Sequence, residues 1–340
     1  MWIRLQQDCV AQESHLPEMR SSDFLHKDAE TRVCEDYIAA GALCRLLTNS
    51  EQVLEAARET FLPVRLPSSA IDISMRFWVD DTHRAQPPRM KPYVRGLGHL
   101  IFAGFAEDCS ILANLRKRQI IGRFSPEMAE DRAYFKSVIF PMLLTIVSAT
   151  VGVAELHCAC VAQDRHGLLL AGPSGVGKST LALALSQDGL GFVSDDRTFC
   201  SLEDGDVHVW GLPTRLKLRT EGLCWFQELR QSNAPASRDG KAAVWLEPEH
   251  LSGVKRIRHG RATSLIFLER TNSSEFCLSP IPSTEALNRL TRELMAELPD
   301  AAARRSQTMK RIVELPCWLL RYGGRPQQVA RQILTHLVRS

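Results

Sequence analysis

Residues 167–196, "GLLLAGPSGVGKSTLALALSQDGLGFVSDD", decide the fold. "GLLLA" reads as a buried strand, "STLALAL" as an apolar helix and "GFVSDD" as the next strand. Between the first strand and the helix, "GPSGVGKS" fits G-x-x-x-x-G-K-[ST] at Gly172, Gly177, Lys178 and Ser179. Oxygens of a triphosphate need several backbone N–H donors aimed inward. Glycines permit the tight turn and the close approach, and the following helix adds its N-terminal dipole. The loop Gly172, Pro173, Ser174, Gly175, Val176, Gly177, Lys178, Ser179 and Thr180 is therefore expected to bind a nucleotide. Lys178 can reach the β- and γ-phosphates, and the Ser179 hydroxyl can ligate Mg2+.

Asp195 and Asp196 lie seventeen and eighteen residues beyond Lys178. A three-turn helix, the turn "DGLG" and one strand fill that gap. Two parallel strands flanking one crossover would place the pair beside the phosphates. One carboxylate can then face Mg2+ and the other a hydroxyl nucleophile, as a general base. The blander alternative is an Asp pair that caps or turns after a strand. The position argues against ATPase motors, which carry the metal-linked Asp on a later strand; "HLSGVKR" (250–256) is only a fragment of an ABC-type signature, in the wrong order. His157, in "AELHCACV" (154–161), precedes the loop strand, and on spacing alone is a satisfied core residue. Cys158 and Cys160 share one strand face and read as packing, because no further Cys or His completes a metal site.

Taken together, "LHCACVAQDRHGLLLAGPSGVGKSTLALALSQDGLGFVSDD" (156–196) resembles the catalytic core of the HPr kinase/phosphorylase family. Members show a histidine on an early strand, a short hairpin, the phosphate loop and an Asp pair at this distance. The resemblance covers about 150–220 and does not reach 1–125. It implies an α/β fold, with a P-loop core in a mixed sheet as in PEP carboxykinases, and an ATP- and Mg2+-dependent serine kinase acting on a protein or peptide. It implies that Lys178 and Ser179 hold the phosphates and Mg2+, that Asp195 accepts the substrate serine proton and that Asp196 supports the metal. It also implies that His157 sits near Asp195 and tunes its proton affinity. Thr180 stands where the bacterial regulator has an acidic residue. The nearest counterpart of the family's Glu-x-Arg-Gly signature is "HVWGLP" (208–213), with His208 and Trp210 in place of Glu and Arg. The chain thus looks more like the divergent HPr-kinase-related group, some of whose members phosphorylate a serine of a lasso-peptide precursor. Related kinases form rings; no interface signature is legible here, so a homo-oligomer is left open. Arg215, Arg219 and Lys241 are further candidates for phosphate or substrate charge, with solvated surface bases the favoured reading. A small-molecule kinase of the shikimate or gluconate type and a nucleotide-binding sensor without transfer activity stay open as alternatives.

Outward from this core the chain is less explicit. Its 340 residues allow two domains, expected as an N-terminal α+β region over 1–130, part of substrate recognition, and the nucleotide-binding domain with a helical C-terminus over 131–340. A net charge of +3, with no basic run interleaved with aromatics, argues against nucleic acid. "MWIRLQQDCVAQES" has no apolar stretch behind a basic start, and the ten cysteines are scattered, so a cytoplasmic protein with reduced thiols is expected. "VIFPMLLTIVSATVGVA" (138–154) is nearly long enough to span a bilayer. Pro141, Thr145, Ser148 and Thr150 interrupt it, so it reads as a buried helix under the nucleotide domain and no membrane partner is expected. Ser125 and Pro126 mark the start of the helix that contains it.

Apolar spacing over 29–49 predicts a helix. "IDISMRFWV" (71–79), "HLIFAGF" (99–105) and "SILANLRKRQIIGRF" (110–124) predict an antiparallel meander. The polar stretch 230–241 reads as a loop, and the chain from 283 onward as mostly helical, ending in the amphipathic "RPQQVARQILTHLVR". No internal repeat is present.

Overall fold

The computed structural model describes residues 33–65, 70–80, 92–106, 109–163, 166–229, 242–273, 275–291 and 299–337. The loop 230–241, with Lys241, lies outside the described residues. The first described element is a hairpin of β1 (Val33–Ala39) and β2 (Ala42–Thr48), paired antiparallel. This corrects the helix expected over 29–49. The same apolar residues also fit period two: Ala42, Cys44, Leu46 and Thr48 are buried and alternate with less buried neighbours. The turn decides between the two periods. Ala40 and Gly41 are both left-handed, with φ of 53° and 84°, which a two-residue hairpin favours and a helix forbids.

A helix not anticipated from the sequence follows: α1 (Glu51–Thr60), capped by Ser50 Oγ accepting from the Val53 N–H at 3.4 Å. Then come β3 (Leu62–Pro63), β4 (Ile73–Val79), β5 (Tyr93–Leu97), β6 (Leu100–Ala106), β7 (Cys109–Asn114) and β8 (Gln119–Phe124). All eight strands form one sheet in the order β3-β1-β2-β4-β8-β7-β6-β5. β6, β7 and β8 make the expected antiparallel meander, and β5, not anticipated as a strand, extends it. β4 does not join it in that sense, because it runs parallel to both β2 and β8. For β2 and β4 the reason is α1: a helical crossover returns the chain in its starting direction, where a tight turn would reverse it.

The helical run after β8 starts as expected, with Ser125 Oγ accepting from the Met128 N–H at 3.2 Å and Pro126 in the first turn. It is not one helix. α2 (Pro126–Glu130) stops, and the Asp131 side chain caps a new start at α3 (Arg132–Tyr134). A π turn (Phe135–Ile139) leads into α4 (Phe140–Val147), where Pro141 has no N–H to donate to the turn before it. By length and apolarity Arg132–Val151 could cross a bilayer. Its Phe135, Ile139, Phe140, Leu143 and Leu144 are instead buried together with Tyr37, Leu46, Phe77 and Phe124. Ring centroids lie 4.9 Å apart for Phe124–Phe135 and 4.8 Å for Phe61–Phe140. The helix is therefore buried under the N-terminal sheet, which corrects its expected place under the nucleotide-type sheet. That sheet offers it an unfilled aromatic face worth about 2–3 kcal/mol per phenylalanine buried.

The second half is built from β9 (Ala154–Leu156), β10 (Cys158–Gln163), β11 (His166–Ala171), α5 (Lys178–Gln187) and β12 (Gly191–Ser194). β13 (Thr198–Glu203), β14 (Asp206–Trp210), β15 (Leu216–Arg219), α6 (Thr220–Leu223), β16 (Ala243–Leu246) and β17 (His259–Arg261) follow. β18 (Ser264–Arg270), β19 (Phe276–Pro280), α7 (Ser283–Thr291), α8 (Pro299–Glu314), β20 (Cys317–Tyr322) and α9 (Pro326–Leu337) complete it. β20 interrupts the helical C-terminus that the sequence suggests.

The central sheet has the order β12-β10-β11-β18-β20-β19 and is mixed: β11, β18 and β20 are parallel, while β10 and β19 run against them. A second sheet, β17-β14-β13-β9, is antiparallel, and β15 and β16 form a separate pair. The fold is thus α/β with several sheets, two of them mixed. β11 is buried on both faces. Leu168 and Leu170 pack with α5 and α9, while Leu169 and Ala171 pack with α8 residues such as Ile312. Cys158 and Cys160 lie together in the latter core, as packing residues. The tip of the β1–β2 hairpin meets the second sheet closely. A Cβ on Gly41 would come within 2.7 Å of Ser201 Oγ and Trp210 Nε1.

Candidate active site

The glycine loop leaves the C-terminal end of β11 and enters α5. Gly172 and Gly177 hold φ of 146° and 108°, outside what side-chain-bearing residues normally adopt. A Cβ would also meet the Leu268 carbonyl at 3.0 Å from position 172, and Tyr322 Oη at 2.5 Å from position 177. Tyr322 uses that hydroxyl to donate to the Val176 carbonyl at 2.7 Å, so β20 props the loop from below. Burial raises the Tyr322 pKa to about 12, which keeps it a donor. Lys178, only 6% exposed, curls over the loop and donates to the Gly172 carbonyl at 2.7 Å. Pro173, Ser174 and Gly175 form the exposed crest, while Val176 is buried and Ser179 and Thr180 are half-buried at the first turn of α5.

β12 ends at Ser194, and the two aspartates diverge there. The turn is pinned by Ser194 Oγ and Thr198 Oγ1, 2.5 Å apart, with Thr198 donating onward to the Cys158 carbonyl at 2.9 Å. Asp195 points inward and is 7% exposed. Its Oδ2 accepts from the Lys217 backbone N–H at 3.0 Å; its Oδ1 is buried without a hydrogen-bond partner among the described residues. Burial pushes the Asp195 pKa up to about 6. The neighbouring Ser179 hydroxyl, the Lys217 N–H and the Lys178 charge moderate that rise, and the Asp196 charge adds to it. Asp196 points outward, its side chain 70% exposed, and lies 2.8 Å from His157 Nε2. The hydrogen bond from His157 holds the Asp196 carboxyl below its ordinary range.

This corrects one expectation. His157 stands beside Asp196, not Asp195, because consecutive residues leaving a strand face opposite ways. His157 itself occupies the bend where the chain passes from β9 in the antiparallel sheet to β10 in the central one. The other expected residues do converge. Lys178, Ser179, Asp195, Asp196 and His157 all line one cleft of about 770 Å³. Asp195 reaches it although β12 is not adjacent to β11: the two strands are parallel, as expected, but β10 lies between them.

The stretch "HVWGLP" does not supply the missing signature. His208 lies near Glu203, 3.7 Å away on the neighbouring strand, and the Trp210 indole N–H is buried, donating to Ser201 Oγ at 2.9 Å. Neither lines the cleft, whereas Lys217, Arg219 and Glu221 do. The signal for these was present in "TRLKLR": Leu216 and Leu218 are buried, so Lys217 and Arg219 share the opposite face. Arg215 lines the cleft as well, 63% exposed and paired with Glu247 at 2.9 Å. Ser137 and Pro141, from the helical run under the N-terminal sheet, complete one wall, and Trp245 of β16 stands at another.

The residues present fit a magnesium ion. Ser179 and Asp196 offer hard oxygen donors on the cleft that Lys178 and Asp195 also line. Among the described residues no cluster of three His, Cys, Asp or Glu side chains forms a metal site.

No family model matches the chain, and no curated protein matches it. Among solved structures it is similar to the Hpr(Ser) kinase/phosphatase from Coxiella burnetii, at 13% identity, covering 55% of this chain and 97% of that one. The TM-score is 0.30, a weak likeness that carries no argument about the site.

Proposed function

We propose that the protein is an ATP- and Mg2+-dependent kinase that transfers the γ-phosphoryl group to a serine hydroxyl of a protein or peptide. The observation that carries this reading is Asp195: a buried carboxyl poised near pKa 6, with one unpartnered oxygen, opening on the same cleft as Lys178 and Ser179. Glu127 and Asp188 also have a buried oxygen without a hydrogen-bond partner among the described residues, but of the three only Asp195 lines the cleft with Lys178 and Ser179. A base that must take a hydroxyl proton near neutral pH needs a pKa close to that of its surroundings and a vacant lone pair.

In this mechanism the glycine loop and Lys178 hold the nucleotide phosphates. Asp195 Oδ1 accepts the proton of the acceptor serine while its Oγ forms a bond to the γ-phosphorus and the bond to the β-γ bridging oxygen breaks, releasing ADP. Lys217 N–H keeps the carboxyl aimed by holding Oδ2. His157 holds Asp196 ionised, so Asp196 and Ser179 present oxygen donors for Mg2+. When bound, Mg2+ would neutralise negative charge on the nucleotide phosphates. The acceptor class rests on the sequence resemblance over 150–220, and on a cleft walled partly by Ser137 and Pro141 from outside the nucleotide-type sheet.

The test is incubation with ATP labelled at the γ-phosphate and a panel of serine-bearing peptides, followed by mass spectrometry. A peptide heavier by one phosphate on serine is expected. Label passing only to a small hydroxy acid would establish the small-molecule kinase instead.

A further inference from the structure

The cleft contains a cation with no assigned role, Arg219. Two other arginines of the cleft have acidic partners: Arg215 pairs with Glu247 at 2.9 Å, and Arg197 with Glu155 at 3.5 Å. Among the described residues no carboxylate pairs with Arg219. Its Nη2 instead donates to Ser174 Oγ, on the crest of the glycine loop, at 3.0 Å. Its Nη1 lies 3.0 Å from where a Cβ on Gly175 would stand. Gly175, at φ 89°, therefore leaves room for a guanidinium lying across the loop.

The strand that carries Arg219 also carries the clamp on Asp195. On β15, Leu216 and Leu218 point into the core, and Lys217 and Arg219 occupy the other face. The Lys217 N–H holds Asp195, and two residues further on, about 7 Å along a strand, Arg219 reaches the loop. One strand thus spans from the carboxyl group that would take the acceptor proton to the loop that would hold the phosphates. We propose that the Arg219 guanidinium contacts the phosphoryl group during transfer, neutralising charge that develops on its oxygens, and that Ser174 parks the side chain until then. The planar fork of arginine suits two phosphate oxygens at once. The proposal rests on the kinase reading for the group transferred, but its test needs no acceptor.

The experiment measures binding of Mg-ADP, alone and with aluminium fluoride, to the full-length wild-type chain, Arg219→Gln and Arg219→Lys by titration calorimetry. Aluminium fluoride beside ADP mimics the phosphoryl group in flight. The wild type is expected to bind the fluoride complex at least about tenfold more tightly than ADP alone. Glutamine keeps a donor for Ser174 but has no charge. Arg219→Gln should bind ADP within about threefold of wild type while losing most of the preference for the fluoride complex. Arg219→Lys should recover part of it.

Equal weakening of both ligands in Arg219→Gln would mean that Arg219 only props the loop, and would overturn the proposal. So would a wild-type preference that survives the glutamine, or a wild type with no preference. A wild type that prefers the fluoride complex in an Arg219-dependent way but phosphorylates no serine would remove the serine-kinase reading and leave the role of Arg219 standing.

Discussion

Asp36 in the N-terminal sheet and Asp195 at the edge of the central sheet are almost equally withdrawn from water, 8% and 7% exposed. Their surroundings differ completely. Asp36 is gripped by both nitrogens of one fork, Arg45 Nε to Oδ1 at 2.8 Å and Nη2 to Oδ2 at 2.9 Å, across the β1–β2 pair. Asp195 has a single backbone donor on one oxygen and, among the described residues, no hydrogen-bond partner within bonding geometry on the other, which has only the neighbouring Ser179 hydroxyl to moderate it. A buried carboxylate with its counter-ion locks strand register. One left half-satisfied keeps a proton-accepting position open, at a cost the rest of the fold must offset. The contrast separates architecture from chemistry more surely than burial does.

The sharpest way to break the contrast is Asp195→Asn. Under the kinase reading it should lower phosphoryl transfer about 10³-fold, measured with labelled ATP, whereas Asp36→Asn should leave the turnover of folded protein within about threefold. Unchanged transfer in Asp195→Asn would erase the distinction. Next in size is Arg45→Met, which removes the guanidinium fork from the buried Asp36. Denaturant unfolding should show a loss of about 3 kcal/mol. Asp195→Asn should do the reverse to stability. Folded Asp195 titrates near 6 against 3.8 for an ordinary aspartate, so the fold favours its protonated form. The stability this contributes is complete below about pH 4 and lost as pH rises through about 6. At pH 7 the asparagine variant should therefore be the more stable, by up to about 3 kcal/mol, and the gap should close on acidification to pH 4. Transfer by the wild type should rise with pH through about 6, as Asp195 ionises. The smallest effect expected is that of His157→Ala. Without its hydrogen bond Asp196 is less firmly held, and the magnesium concentration for half-maximal transfer should increase about tenfold.

The two regions were also unequally legible. "GPSGVGKS" and "DD" are local signals, because the conformations they need depend on the residues themselves, at Gly172 and Gly177 above all. The hairpin at 33–48 was misread as a helix because Val33 and Tyr37 are four apart, while the deciding feature, Ala40–Gly41, is two residues long. The strand β20 was hidden because "CWLLRY" acquires its identity from pairing with β18 and β19, both remote in sequence. At the site, the residue types were readable but their partners were not. Which aspartate meets His157 depends on the side to which each turns after β12, and the Lys217 N–H that aims Asp195 is a backbone group with no sequence signature.

β10 has a consequence of its own. Because it intervenes between β11 and β12, the loop-bearing strand and the aspartate-bearing strand are held two inter-strand steps apart, about 10 Å. Such a gauge has no intermediate settings, since the separation can change only if a whole strand is added or lost. Drift in side chains can retune the acidity or reach of the groups on either bank, but the width of the channel between them is quantised by the backbone.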